Sequence, residues 1–91
     1  SAKYELQSAS TYSIWVEEHY TNKSRTRING AAFTATRYLI DCRNDQFRIS
    51  TKLHINSEGK FMGGGSMPHT QFATINSGTV ESSLFQLICL S

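Results

Sequence analysis

The sequence predicts an α+β fold: a curved antiparallel β-sheet of about five to six strands, one C-terminal helix and a single disulfide. Its 91 residues are the length of one domain, covering residues 1–91. Several segments alternate apolar and polar residues with a period of two, and the C-terminal segment changes to helical spacing. Strands and helices do not alternate along the chain, so a parallel sheet built of β-α-β units is not expected.

Three segments have the period-two pattern of half-buried strands. They are residues 11–20, 33–42 and 46–56, and the turn signal Asn29-Gly30 precedes the second. The third segment is the clearest, because its apolar side chains recur at every second position. The residues expected on its apolar face are Phe47, Ile49, Thr51, Leu53 and Ile55.

Two polar or glycine-rich stretches are predicted to be loops, residues 21–31 and residues 59–70. The second contains the run GGGS, at residues 63–66. This run lacks the lysine and the following helix of a phosphate-binding loop, so we interpret it as a mobile loop.

The last fifteen residues favour a helix. Val80, Leu84, Leu87 and Ile88 have the i, i+4, i+7, i+8 spacing of one helical face. Ser77 or Thr79 is suited to cap its N-terminus, and Glu81 lies in the first turn, where the helix dipole favours an anion. A short apolar strand in LFQLICL is the alternative.

A β-hairpin is predicted around Cys42, with residues 43–46 as its loop. Its predicted cross-strand pairs are Ile40 with Ile49, Asp41 with Arg48, and Cys42 with Phe47. The first and last pairs would lie on the apolar face and the oppositely charged pair on the polar face, which favours this register. Cys42 would therefore point into the core.

The two cysteines, Cys42 and Cys89, are predicted to form a disulfide. A catalytic thiol needs a partly exposed, electropositive setting with a nearby base, and the hairpin offers neither. Dispersed histidines and two distant cysteines do not have the spacing of a zinc site. Two interpretations remain, a pair of buried free thiols or a disulfide, and a small Ser/Thr/Asn-rich domain favours the disulfide and an oxidising compartment.

The basic residues are unevenly distributed. The net charge is only +2, too small to indicate nucleic-acid binding, yet eight of the nine basic residues lie between Lys23 and Lys60. The hairpin register places Arg37 opposite Lys52 with Arg48 nearby, a cationic patch about 15 Å long. We predict that Arg37, Arg48, Lys52 and the outward-facing Trp15 form a binding site for a protein or a sulfated or acidic polymer. The alternative is that these side chains only cover a solvated sheet face.

No catalytic constellation is evident, so the protein is predicted not to be an enzyme and to need no cofactor or metal. Glu17 and Glu18 are adjacent on a strand and point to opposite faces, which separates the two carboxylates. No apolar run is long enough to span a membrane.

Short motifs in a fixed order resemble the bacterial surface-adhesin protein E family of small Gram-negative envelope proteins. They are IWVEEHY, DCRNDQFRI, the following GK turn, the SG step and the terminal IC, and together they extend from Ile14 to Cys89. INSG and QFATI depart from the family's Pro-Gly-Ser step and preceding tryptophan. The resemblance implies a curved antiparallel sheet carrying a helix, bridged cysteines, export to the periplasm or cell surface, binding to host matrix proteins, and a homodimer.

The predicted function is therefore that of a small exported bacterial binding module, adhesin-like, which recognises a protein or polyanionic partner through a basic sheet face. The alternative is a periplasmic inhibitor or immunity-type protein that blocks a cognate enzyme with a loop such as residues 63–70.

Overall fold

The computed structural model describes residues 3–19 and 31–90 and confirms the predicted fold class. An antiparallel six-stranded sheet, which is not closed, carries one C-terminal helix. The elements are β1 (Tyr4–Ser8), β2 (Thr11–His19), β3 (Ala31–Asp41), β4 (Gln46–Asn56), β5 (Phe61–Ser66), β6 (Ala73–Thr74) and α1 (Val80–Cys89). The strand order is β1-β2-β3-β4-β5, and β6 pairs with the start of β4.

The core lies between α1 and one face of the central strands. Ile14 of β2 and Ile40 of β3 are fully buried, and Leu84 and Ile88 of α1 pack against them. Partly buried aromatic side chains, Tyr12, Tyr38, Phe47 and Phe85, surround this cluster. A core with so few buried residues gives limited hydrophobic stabilisation, as expected for a small domain.

The helix is confirmed, with a narrower buried stripe than predicted. Thr79 is the N-cap, and its hydroxyl accepts a hydrogen bond from the Ser82 N–H at 3.2 Å. Leu84 is buried, whereas Val80 and Leu87 of the predicted stripe are exposed. Leu84 and Ile88, four residues apart, form the buried stripe, with Phe85 and Cys89 partly buried beside them.

The predicted disulfide is present. It joins Cys42, just after β3, to Cys89, the last residue of α1, and the two Cα atoms are 5.6 Å apart. The bond fixes the end of the helix to the sheet and leaves neither thiol free.

The predicted hairpin register is wrong by two positions. Ile40 lies opposite Phe47 and Asp41 opposite Gln46, so the turn comprises residues 42–45. The carboxylate of Asp41 fixes this turn by accepting hydrogen bonds from the backbone N–H groups of Arg43 (3.0 Å) and Asn44 (3.3 Å). A shift of two keeps each side chain on its face, so Cys42 still packs against the core.

A β-bulge at Ser50 changes the predicted alternation along β4. Arg37 pairs with Thr51 and Tyr38 with Ile49, so Ser50 is the additional residue. Such a residue reverses the faces of all side chains that follow it. The prediction that five apolar positions of β4 share one face is therefore wrong. The first two share the face of the helix, and the last three, Thr51, Leu53 and Ile55, lie on the opposite face.

The glycine-rich run is a strand, not the predicted loop. Residues 63–65 lie within β5 and pair with β4, with Gly64 opposite Leu53. Gly64 has φ +99°, and a Cβ added there would overlap the backbone carbonyl oxygen of Lys52. Glycine therefore permits a close approach of two strands that other residues would prevent.

Some sequence predictions lie outside the described residues. These are the turn at Asn29-Gly30, the loop over residues 21–30, and Tyr20 at the end of the first predicted strand. Within the described ranges, no helix combines the length and the apolar character that a membrane span requires.

Candidate binding surface on the helix-free face

The face of the sheet opposite α1 is called here the helix-free face. Because paired residues of neighbouring strands share a face, the register assigns its members. Among them are Glu5, Ser13, Trp15, Glu17, Arg37, Leu39, Asp41, Arg48, Thr51 and Leu53. Three of the four predicted binding residues, Trp15, Arg37 and Arg48, are among them.

Trp15 and Arg37 lie directly opposite each other at the centre of this face. Trp15 is 47% exposed, a large fraction for an indole in the middle of a sheet. The guanidinium of Arg37 donates to Ser50 Oγ at 3.2 Å and to Gln7 Oε1 at 3.1 Å. Both acceptors are neutral, so the hydrogen bonds hold the guanidinium in place without neutralising its charge.

Gln7 extends this network to β2. Its Nε2 donates to the hydroxyl of Ser13 at 3.0 Å, so its carbonyl oxygen is oriented towards Arg37. The orientation of Arg37 is therefore fixed from β1 and β4 before any partner binds, which lowers the entropy cost of using this side chain in an interface.

Arg48 has a structural contact as well as a charge. It lies opposite Leu39, and its guanidinium donates to Thr70 Oγ1 at 3.2 Å and to the carbonyl oxygen of Met67 at 3.3 Å. Thr70 Oγ1 in turn donates to the carbonyl oxygen of Ile49 at 2.6 Å. Arg48 thus fixes the turn that follows β5 against β4.

Lys52 does not join this surface, which corrects the predicted patch. It pairs with Thr36, on the face that carries the helix, whereas the predicted partner, Arg37, pairs with Thr51. The bulge at Ser50 is the physical reason, because it reverses the alternation between Arg48 and Lys52.

The charge of the helix-free face is mixed rather than basic. The register places Glu5 and Glu17 on it together with Arg37 and Arg48. Glu17 pairs with His19 at 2.9 Å. Among the residues that the structure describes, neither guanidinium forms an ion pair with a carboxylate.

Among the residues that the structure describes, two groups have shifted pKa values, and neither is one of the predicted binding residues. The side chain of Asn44 donates to the carboxylate of Asp41 and is the main cause of its lowered pKa; the hydroxyl of Ser10 and two backbone N–H groups also contribute. Burial raises the pKa of Tyr38, and the carboxylates of Glu81 and Glu18 raise it further.

A groove of about 270 Å³ lies between α1 and the hairpin turn. Asp45, Ile75, Phe85 and Leu90 are among its lining residues. Its volume is below the roughly 300–1,000 Å³ of most ligand pockets. Over residues 3–19 and 31–90, no group of three or more His, Cys, Asp or Glu side chains is placed to hold a metal ion.

The sequence did not predict the residues that orient the two arginines. Gln7 lies on β1, a strand that the pattern did not indicate, and Ser50 and Thr70 act only through the tertiary fold. Polar residues at such positions have no distinguishing local signal.

In comparisons with known proteins, no family model, curated protein or solved structure matches the chain. The resemblance to the surface-adhesin protein E family therefore stays a prediction.

Proposed function

We propose that this protein is a small binding module that recognises a protein partner through its helix-free face, with Trp15 and Arg37 at the centre of the contact. The observation that carries the proposal is the pairing of an exposed indole with a guanidinium held by neutral hydrogen-bond partners. Tryptophan and arginine are the side chains most enriched among residues that dominate binding energy at interfaces.

A protein partner fits this surface better than a polyanion does. A sulfated polymer would favour a row of cations, whereas the helix-free face carries acidic residues, among them Glu5 and Glu17, as well as Arg37 and Arg48, and Lys52 lies on the other face. Mixed charges around an apolar centre are typical of the rim and core of protein interfaces.

We further propose that the chain acts in an oxidising compartment, the periplasm or the cell surface. The disulfide between Cys42 and Cys89 supports this proposal, since such bonds persist mainly in exported proteins. An adhesin-like role with a host matrix protein as the partner is the form of this function that the motif resemblance suggests.

The proposal is tested by affinity capture with purified protein as bait, followed by measurement of Kd with the recovered and purified partner. We expect Trp15→Ala and Arg37→Gln each to weaken binding at least tenfold, because each removes a central contact. Val80→Ala is the matched control, because Val80 is 53% exposed on α1 and lies away from this face.

Equal affinity of the wild type and the Trp15→Ala and Arg37→Gln variants would contradict the proposal. Unfolding curves of all variants show whether a loss of affinity comes from a loss of fold. If the wild type binds heparin and the Arg37→Gln variant binds it with the same affinity, that binding is due to basic residues other than Arg37.

A second candidate function is inhibition of an enzyme through the turn at residues 67–70. Hydrogen bonds from Arg48 and from the Thr70 hydroxyl fix this turn, and His69 is exposed at its tip. A preformed, exposed turn is suited to enter an enzyme cleft. If the captured partner is an enzyme, His69→Ala should raise the inhibition constant at least tenfold and Trp15→Ala should leave it unchanged; the reverse pattern would exclude this mode.

A further inference from the structure

The outer edge of β5 is unpaired in the described part of the chain. β5 is the last strand in the order of the sheet and pairs only with β4. In a strand with one neighbour, alternate N–H and C=O groups point away from that neighbour. Residues 61–66 therefore present a row of backbone donors and acceptors at this edge.

Little in the strand protects this edge from pairing. Residues 61–66 include neither a charged residue nor a proline, the features with which proteins commonly block an edge strand. Phe61 is 60% exposed and Met62 is 43% exposed. By contrast, β1 at the opposite edge carries the charged residue Glu5. Both edge strands have one irregularity in their pairing, at Met62 in β5 and between Leu6 and Ser8 in β1.

The glycines of β5 leave the side chains of β4 accessible to an added strand. Gly65 lies opposite Lys52, and Gly64 lies opposite Leu53. An added Cβ at Gly65 would have no atom within 4 Å, so the space above it is open. A strand added to β5 would lie about 10 Å from β4, two strand spacings away, within the joint reach of a lysine and a glutamate side chain.

Lys52 provides a charge for such a contact. It is half-buried, and among the described residues it forms no ion pair. An acidic side chain on the added strand, placed opposite Gly65, would meet this ammonium group. A bulky side chain opposite Gly64 would cover the glycine backbone and contact Leu53 on the other face.

We propose that the outer edge of β5 binds an extended, acidic segment of a partner protein as an additional antiparallel strand. Backbone hydrogen bonds to residues 61–66 supply the affinity, and the contacts beside Lys52 and Leu53 supply the specificity, as in other cases of β-strand addition. This site lies at the edge of the sheet and includes Leu53 of the helix-free face but neither Trp15 nor Arg37, and it does not depend on the proposed function.

A second copy of this chain fits the edge less well. Pairing of two β5 strands about their centre would place glycine opposite glycine and bury few side chains, because three of the six residues have none. Cross-strand side-chain pairs provide much of the stability of a sheet, so a partner with large side chains at these positions is favoured.

The test uses a fluorescently labelled peptide, Val-Thr-Glu-Tyr-Glu-Thr-Val. Fluorescence anisotropy measures its affinity, and amide hydrogen exchange of the protein shows where on the sheet it binds. We expect saturable binding below 1 mM and increased protection of amides within residues 61–66. Lys52→Glu should weaken binding at least tenfold, because it places a carboxylate beside the glutamates of the peptide. Lys3→Glu, the same charge change near the opposite edge, should leave Kd within twofold.

Two control peptides separate backbone pairing from simple charge attraction. One is N-methylated at alternate amides and should not bind; the other has both glutamates replaced by lysine and should bind at least tenfold more weakly to the wild type. The proposal is overturned by absence of binding up to 1 mM, by undiminished binding of the N-methylated peptide, or by protection outside residues 61–66. Protection of these amides that rises with protein concentration alone would identify a second copy as the occupant and would overturn it as well.

Discussion

Removal of the disulfide should take away much of the stability of this domain. The perturbation is the double variant Cys42→Ala/Cys89→Ala. The bond closes a loop across a sequence separation of 47 residues, and the chain-entropy relation for such a loop gives about 4 kcal/mol. That is close to the full free energy of unfolding of a marginally stable small domain.

The structure adds a reason for a large effect. Leu84 and Ile88 are the buried residues of the helix, and the disulfide lies one residue beyond Ile88. Without the bond, little else fixes the C-terminal end of α1. Urea unfolding followed by circular dichroism should show a loss of about 4 kcal/mol, and thermal unfolding should show a Tm lower by about 16–32 °C.

A comparison with the reduced wild type separates the cross-link from the packing of the sulfur atoms. Both cysteines pack against the core, so the double variant also loses side-chain contacts that reduction preserves. Reduced wild type should lose nearly as much stability as the variant. A loss below about 1 kcal/mol in both samples would refute the entropic argument.

Three further predictions concern local features of the fold. Asp41→Ala should lower the free energy of unfolding by about 2–3 kcal/mol, because the turn loses a charged hydrogen-bond acceptor. Because the folded-state pKa of Asp41 is lowered, the stabilisation by its carboxylate is present in the wild type above about pH 4 and is lost as the pH falls through that lowered pKa. Urea unfolding of both proteins at about pH 2–6 measures this loss. Gly64→Ala should cost about 1–3 kcal/mol in thermal unfolding, because its Cβ would overlap the carbonyl group of Lys52, and Gly65→Ala, where space is open, should cost less. Thr79→Ala should cost about 1 kcal/mol through loss of the N-cap, measured by chemical unfolding, and Thr79→Ser should restore most of it.

Each of these predictions has an outcome that contradicts it. An Asp41→Ala variant whose stability falls between pH 4 and pH 2 as much as that of the wild type would show that Asp41 is not the titrating group. Equal losses for Gly64→Ala and Gly65→Ala would indicate that backbone conformation, not the close approach to Lys52, determines the cost. A Thr79→Ser variant no more stable than Thr79→Ala would argue against the hydroxyl as the cap.

Much of the candidate surface could be predicted because it depends on local alternation. Trp15 was expected on an outward face from the alternation of its strand, and Arg37 on the polar face from the predicted hairpin; the two are cross-strand partners in the structure. Lys52 was misplaced because its predicted position required an uninterrupted pattern along β4. A bulge at Ser50 interrupts this pattern. There the Arg37 guanidinium donates a hydrogen bond to the Ser50 hydroxyl, and the Ser50 hydroxyl donates one to the Arg37 carbonyl oxygen. A contact between two strands cannot be read from the pattern of either one.

The strand formed by the glycine run also could not be predicted from the pattern of its own residues. Three consecutive glycines have no side-chain pattern, so the sequence indicated a loop. Pairing with β4 makes the run a strand, and the close contact at Gly64 explains why glycine is needed there.

The sequence by itself determined the elements that depend on local periodicity: the central strands, the C-terminal helix and, with only two cysteines in the chain, the disulfide partners. Local alternation and helical spacing arise from backbone geometry, so they are visible in one segment at a time. Only the tertiary structure decided the hairpin register, the bulge at Ser50 and the separation of Lys52 from Arg37. The bulge and the separation of Lys52 from Arg37 accompany hydrogen bonds between Ser50 and Arg37, which lie on neighbouring strands, so the alternation within one strand does not show them. The hairpin register depends on which residues form the turn, and the acceptor that fixes that turn is the carboxylate of Asp41.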